Sequence, residues 1–287
     1  MGDTLHIGPF TILGTLGQGA NSTILHVRRS GDSKQYALKV VPLEDKEDLK
    51  FLEQARHEFQ VAGMLGHPNL IKIYSLETPR DWLFRIRKVH LLIEYVNGKT
   101  LDTLPNLPLP KLAQIFAKIA AGMVHMHRRR VLHADLKPNN VMLSRTGDVK
   151  ILDYGLAWIK GESKNRVQGT PEYLAPEQAQ HGMVSERSDI YNLGATMYRL
   201  LTFRLPPSVT ASSEGVQMNA KTFDALLKPV QEFNPQVPAR LGTLVQHCLA
   251  FNAHKRPEAM ADIHTELEDI AEGLIHSPED RLEALEW

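Results

Sequence analysis

The segment His133-Ala134-Asp135-Leu136-Lys137-Pro138-Asn139-Asn140 packs a carboxylate, an ammonium and an amide into eight residues. A second carboxylate, Asp153, follows a short apolar hairpin pattern made by Val141 to Leu143 and Val149 to Leu152. One acid that can accept a hydroxyl proton, with an amide oxygen and another acid that can hold Mg²⁺ against nucleotide phosphates, is a phosphoryl-transfer layout.

The elements that must position these groups are read from periodicity. Residues 8–42 alternate in a strand-like way (Phe10, Ile12, Leu16; Thr23 to Leu25, Val27; Tyr36 to Leu38, Val40), broken by Gly17, Gly19 and the turn at Gly31-Asp32, and predict a β-meander. Leu16-Gly17-Gln18-Gly19-Ala20-Asn21-Ser22-Thr23-Ile24 lies on its first hairpin, where glycines let backbone N–H groups approach phosphate oxygens without a Cβ in the way. Alone, the same stretch is also a plain glycine-containing hairpin. Lys39 ends the apolar run Tyr36-Ala37-Leu38, and an ammonium there needs an anion because burying it unpaired is costly. Glu58 is the candidate, on a helix predicted from Asp45 to Leu65 whose apolar face is Leu52, Ala55, Phe59 and Ala62. Glu44, Glu47 and Glu53 lie near it in sequence.

Two more strands, Leu70 to Leu76 and Val89 to Val96, are joined by Glu77 to Lys88. Trp82, Leu83 and Phe84 in that connection either pack on the sheet, the default, or mark a partner surface. Asn97-Gly98 is a turn signal and a domain boundary. From Leu109 to about Arg130 the period becomes helical, with Leu112, Ile115, Phe116, Ile119, Met123 and Met126 as an apolar stripe. His125 and His127 fall on different faces of this helix, so they read as ordinary helix-face residues rather than metal co-ligands. Arg128-Arg129-Arg130 reads as a solvated helix end favoured by the dipole. The remainder is proline-broken and then helical (Leu241 to Phe251, Ala259 to Leu274). Ser277-Pro278-Glu279-Asp280 starts a short final helix with Leu282, Leu285 and Trp287 available to dock.

Composition narrows the function classes. At 287 residues and 43% hydrophobic, the chain can bury one large core or two lobes sharing a cleft. Lys plus Arg equals Asp plus Glu at 33 each, so no global field draws nucleic acid or an anionic membrane. The single cysteine, Cys248, sits in the apolar helical pattern Leu244, Val245, Leu249 and reads as a buried thiol in a reducing compartment. No run approaches the roughly 20 apolar residues that span a bilayer, and no export signal is visible; a cytoplasmic location is the expectation.

These motifs resemble those of eukaryotic-type serine/threonine protein kinases over residues 8–272, and the alanine at 134 and the short loops are similar to bacterial kinases of that type. The resemblance implies an α+β fold of two lobes. Residues 1–96 would form a small antiparallel sheet with one main helix, 97–272 a larger, mostly helical lobe, and 273–287 a short helical extension. It implies ATP and Mg²⁺ (or Mn²⁺) as cofactors and a protein substrate with a serine or threonine acceptor. Asp135 would orient the acceptor hydroxyl as base, Lys137 would neutralise charge on the moving phosphoryl, and Asn140 and Asp153 would hold the metals. Lys39 and Glu58 would position the nucleotide. The nucleotide would also meet Leu16, Gly17, Gln18, Gly19, Ala20, Asn21, Ser22 and Ile24 of the glycine-rich hairpin, and Ala37 and Met142. His67-Pro68-Asn69-Leu70 resembles the family's turn into its fourth strand. Leu91 to Val96 resembles the hinge, with Ile93 behind the adenine and the backbone of Glu94 and Val96 bonding the base. In Gly169-Thr170-Pro171-Glu172-Tyr173-Leu174-Ala175-Pro176-Glu177, Thr170 would bond the catalytic Asp and Lys. Asp189 would brace the catalytic loop and Arg256 would pair with Glu177.

Three positions depart from the family pattern: Ala134 replaces the arginine before the catalytic Asp, Tyr154 replaces the phenylalanine of the metal motif, and Ser22 replaces a third glycine. Ala134 cannot pair with a phosphate, and Ser163 is the only hydroxyl residue between Leu156 and Gly169, so activity is expected without activation-loop phosphorylation. The Tyr154 hydroxyl needs a partner or water. Asn139 stands where kinases preferring an upstream arginine carry Glu, and Leu156 is of the type associated with serine acceptors. A nucleotide-binding pseudokinase or scaffold is the first alternative, opposed by Lys39, Glu58, Asp135, Asn140 and Asp153 all being present. A small-molecule phosphotransferase is the second, opposed by the Ala175-Pro176-Glu177 segment and Arg256.

Overall fold

The computed structural model describes residues 5–19, 21–45, 47–83, 85–162, 169–210 and 218–275. Ala20, Phe84, Ser163 and the expected helix from Ser277 lie outside them. The described residues divide into two units, one drawn from Met1–Gly66, Ile71–Asn97 and Asp153–Gly155, the other from His67–Leu70, Gly98–Leu152 and Leu156–Trp287. The chain therefore crosses between the units at four places besides Asn97, because His67–Leu70 belongs to the second unit and Asp153–Gly155 to the first.

The alternating segment at the N-terminus forms strands β1 (His6–Ile7), β2 (Phe10–Gly19), β3 (Ser22–Arg29) and β4 (Gln35–Pro42). They join β5 (Ile73–Glu77) and β6 (Lys88–Glu94) in one antiparallel sheet of order β1-β2-β3-β4-β6-β5. Because side chains alternate across a strand, β4 serves two cores. Tyr36 and Leu38 pack with Phe10, Val27 and Leu92 on one face. Val41, next but one to Lys39, packs with Leu43, Leu52, Ala55, Val89 and Leu91 on the other, beneath helix α1 (Leu49–Met64). Register shifts between Ile12 and Gly14 and between Thr15 and Gly17 bend the glycine-rich hairpin. At Gly19 a Cβ would come within 2.9 Å of Ser22 Oγ, a side-chain oxygen that can rotate aside.

Helix α1 starts at Leu49 rather than Asp45. Asp48 Oδ2 accepts from Glu44 N–H at 2.8 Å and Asp45 N–H at 3.3 Å, which closes a turn where a further helical turn was expected. Its buried residues are Leu52, Ala55, Glu58, Val61 and Ala62. Phe59, expected on this face, is exposed, because Glu58 takes the inward position. The strand expected over Leu70 to Leu76 is shortened to β5, since Leu70 instead bridges Ile151 in the second unit, where Ile151 N–H donates to the Asn69 carbonyl at 2.8 Å. Trp82 and Leu83 do not pack on the sheet as the default had them: they are exposed.

In the second unit, β7 (Gly98–Thr100), β9 (Val141–Ser144) and β10 (Val149–Ile151) form one sheet, and β8 (Val131–Leu132) pairs with β11 (Trp158–Ile159). Gly98 is not a turn residue but the first of β7, opposite Ser144. A Cβ there would lie 2.1 Å from the Leu143 carbonyl oxygen, backbone that cannot swing aside. Gly98→Ala is expected to lower stability by about 1–3 kcal/mol through this overpacking, read as a lower denaturant midpoint with unchanged slope; an unaltered midpoint would contradict it. The whole expected stripe of α2 (Leu109–Arg128), Leu112 to Met126, is buried, and α2 packs on α8 (Met260–Gly273). The short helix α3 (Pro176–His181) precedes α4 (Glu186–Thr202), which is buried on nearly every side. Ser185 and Ser188 cap α4 reciprocally. Helices α5 (Ala220–Leu226), α6 (Val230–Phe233) and α7 (Ala239–Cys248) complete the unit. Cys248 is fully buried, and burial pushes its thiol up to about 12, so it stays neutral.

Candidate active site

In the first unit, β4 and α1 bring Lys39 and Glu58 together: Nζ donates to Oε2 at 2.7 Å, with only 4% of the Glu58 side chain exposed. Burial pushes the Lys39 ammonium down, but attraction to Glu58 and then Asp153 outweighs it and its pKa lies above the ordinary value. Burial raises that of Glu58 more than Lys39 lowers it. A cavity of about 190 Å³ opens at the pair, lined by Asn21, Ser22 and Gln54 among others. Asp153 adopts φ 58°, and its Oδ1 accepts from Gly155 N–H at 2.9 Å. Tyr154 is fully buried and its hydroxyl donates to the Ile71 carbonyl at 2.9 Å, so the extra oxygen relative to phenylalanine has its partner. Ala37 lies opposite Ile93 across β4 and β6. Glu94 N–H donates to the Lys72 carbonyl at 2.9 Å. Gly17, Gln18 and Gly19 lie opposite Ile24, Thr23 and Ser22 on the glycine-rich hairpin, and Leu16 is exposed. Val96 lies two residues past the end of β6, and Met142 lies on β9 of the second unit.

In the second unit Asp135, Lys137, Asn140 and Thr170 are bonded to one another. Asp135 Oδ1 accepts from Thr170 N–H at 2.8 Å and from its hydroxyl at 2.9 Å. Asp135 Oδ2 accepts from Lys137 Nζ at 2.8 Å and from Asn140 Nδ2 at 3.2 Å. Lys137 also donates to the Thr170 hydroxyl. Asn140 Nδ2 donates further to the Asp135 carbonyl at 2.9 Å, which turns Oδ1 to serve as the acceptor. His133 Nδ1 accepts from Asp135 N–H, and Nε2 then donates to the Leu152 carbonyl at 3.1 Å, which fixes the orientation of the ring.

Beneath this lies Asp189, wholly buried on α4. It accepts from His133 N–H at 3.0 Å and Ala134 N–H at 2.8 Å, and these bonds hold Ala134 in a left-handed conformation at φ 64°. The Glu177 and Arg256 side chains form a bidentate pair at 2.8 Å. Burial raises the Glu177 carboxyl, but the Arg256 bonds overcome it and hold its pKa below the ordinary value.

Sequence reasoning missed two supports. His127, read as an ordinary helix-face residue, bonds Asp189 at 2.8 Å through Nε2. Gln178 donates to the Ala134 carbonyl and accepts from Ala175 N–H. A signal for such a network was present: Ser188, Asp189, Asn192 and Thr196 form a polar stripe at helical spacing inside an otherwise apolar helix, and all four are buried. A buried polar stripe has to find partners.

Asn140 Oδ1 in the second unit and the Asp153 carboxylate in the first are each a hard oxygen donor of the type Mg²⁺ takes. No group of three or more His, Cys, Asp or Glu that could hold a metal by itself is found among the described residues.

An antiparallel sheet with one buried Lys–Glu pair, and a helical unit that fixes an Asp-Lys-Asn-Thr cluster from below, define a protein kinase. The chain belongs to the protein kinase domain family, whose model matches residues 10–267. It is 30% identical over 268 residues to the serine/threonine-protein kinase PrkC of Bacillus subtilis, covering 91% of this chain and 40% of PrkC. It is 30% identical over 271 residues to the serine/threonine-protein kinase PknB of Mycolicibacterium smegmatis, covering 90% of this chain and 42% of PknB. The chain thus spans about two fifths of the curated relatives it matches. The family generally uses ATP and Mg²⁺. Among the described residues no helix is long and apolar enough to cross a membrane.

Proposed function

We propose that the chain transfers the γ-phosphate of ATP to serine or threonine hydroxyls of protein substrates, in the cytoplasm. The observation that carries this reading is the tied cluster of Asp135, Lys137, Asn140 and Thr170, because a scaffold needs none of these groups held in such positions. Asp135 accepts the acceptor hydroxyl proton and orients that oxygen for attack. Lys137, bonded to both Asp135 and Thr170, neutralises charge on the phosphoryl as it moves. Lys39, held by Glu58, orients the nucleotide phosphates, and the backbone of the hairpin from Leu16 to Ile24 approaches them. The base is bonded by the Glu94 and Val96 backbone, beside Ala37, Ile93 and Met142. Asn140 and Asp153 would hold Mg²⁺, which supplies positive charge against the β- and γ-phosphate oxygens.

The same reading makes transfer independent of activation-loop phosphorylation, because Ala134 offers no cation to a phosphate. Phosphatase-treated protein and a Ser163→Ala variant are expected to keep the untreated rate, and phosphoamino-acid analysis of a generic protein substrate is expected to give phosphoserine and phosphothreonine. Loss of activity in both preparations would contradict the independence. Phosphotyrosine as the product would contradict the acceptor class.

A further inference from the structure

The catalytic cluster borders a cavity of about 390 Å³ that lies wholly within the second unit. Thr170, which bonds Asp135 and Lys137, lines it together with Pro138 and Asn139 of the catalytic segment. Leu104, Pro105, Leu200, Phe203 and Leu205 supply apolar lining. Phe203 is 55% and Leu205 43% exposed. Single apolar side chains in water are ordinary, but several around one concavity mark a binding groove.

Phe203 follows the last turn of α4 at φ 55°, where glycine is the usual residue and a bulky side chain is strained. Its N–H donates to the Arg199 carbonyl at 2.9 Å, its carbonyl accepts from the Arg199 guanidinium, and Thr202 Oγ1 accepts from Arg204 N–H at 3.1 Å. The ring is thus kept on the cavity wall at a backbone cost that glycine would not carry.

The charges set the chemistry of the occupant. Asp102 Oδ2 accepts from Asn139 Nδ2 at 2.8 Å, so this acid and this amide satisfy each other. Among the described lining residues Arg199 is the one cation, and it is bonded to the Phe203 carbonyl. Arg204 instead places its guanidinium carbon 4.6 Å from the Phe233 ring centroid. Burial pushes the Tyr173 hydroxyl up to about 12, which keeps it uncharged. Glu172 stands exposed to water, where an ion pair is worth little. Burying one large apolar side chain changes affinity by about 10- to 100-fold, so the apolar wall outweighs the exposed acid.

We infer that this cavity selects protein substrates by seating one large apolar side chain, leucine, methionine or phenylalanine, close along the chain to the serine or threonine acceptor. The inference rests on the proposed kinase reading, since Thr170, bonded to Asp135, is what ties the cavity to the acceptor.

The test uses serine peptides of alanine and glycine with leucine placed at each position near the acceptor in turn, and with aspartate or arginine in its stead. Two quantities are read: kcat/KM for transfer of label from ATP with Mg²⁺, and peptide binding by fluorescence anisotropy. At one position leucine is expected to raise kcat/KM by about 10- to 100-fold over alanine and to tighten binding by a similar factor. Phe203→Gly, which suits the φ of that position, and Leu205→Ser should each bring the leucine-to-alanine ratio toward one in both readouts, with the melting temperature kept. Equal values for every peptide, a stronger preference for aspartate or arginine, or a leucine preference that survives both variants overturns the inference while transfer itself stands. Failure of the kinase reading looks different, with no label on any peptide. Anisotropy then decides alone: leucine-dependent binding that Phe203→Gly removes sustains the cavity, and its absence overturns it. Self-association of the chain that Phe203→Gly abolishes also overturns it, by assigning the cavity to a second copy.

Discussion

Asp135→Asn lowers phosphate transfer by about 10² to 10⁴-fold, the range expected when a positioned base is removed, and leaves nucleotide binding and the melting temperature close to those of the parent chain. The amide is isosteric, so the bonds to Thr170 persist on one side. Its second atom, however, cannot both accept from Lys137 and Asn140 and take up a proton. The loss is expected on the rate rather than on binding, because Lys39 and Glu58, proposed to orient the nucleotide, belong to the other unit. Single-turnover rates beside a thermal melt and a nucleotide titration check this. A rate within a few fold of the parent would remove Asp135 from the chemistry.

Arg256→Ala costs about 3–5 kcal/mol of stability, the usual penalty for breaking a buried ion pair from one side. The Arg256 side chain is fully buried and that of Glu177 is 14% exposed. The guanidinium donates to both Glu177 oxygens and to the Ala250, Arg187 and Phe251 carbonyls, so truncation leaves a buried carboxylate and three carbonyls without their donor. Lysine does not replace it, since a single ammonium cannot reproduce the bidentate fork. The pH dependence follows from the direction of the Glu177 shift. Its folded value lies below the ordinary 4.5, so the pair stabilises the fold above about pH 4.5 and the contribution is lost as pH falls through the depressed value. Denaturant titrations at neutral and acid pH should show the gap between parent and Arg256→Ala narrowing toward the acid end. A constant gap would place the effect in packing rather than in the pair.

Groups whose chemistry fixes their spacing within one short loop, from His133 to Asn140, were legible in the sequence, and so were the helix stripe of α2 and the Lys39–Glu58 and Glu177–Arg256 pairings. What escaped depends on partners far along the chain or on local backbone bonds. His127 carries no local sign that Asp189, 62 residues on, will need it. Phe59 has the right period for the buried face of α1, yet an ion pair took that face for Glu58. Asn97-Gly98 looks like a turn, whereas the glycine is required by the Leu143 carbonyl opposite it. Trp82 and Leu83 are apolar enough to predict packing, and only the turn fastened by Asp81, whose Oδ1 accepts from Leu83 N–H and Arg85 N–H, shows why they stand clear.

These residues are proposed to form a working phosphotransferase rather than a nucleotide-binding scaffold. Following radiolabelled γ-phosphate from ATP into protein, with Mg²⁺ and with the metal chelated, tests it most directly. Time-dependent label on serine or threonine that requires Mg²⁺ and falls with Asp135→Asn is the expected result. Nucleotide binding by thermal shift with no label transferred to any protein substrate would contradict it.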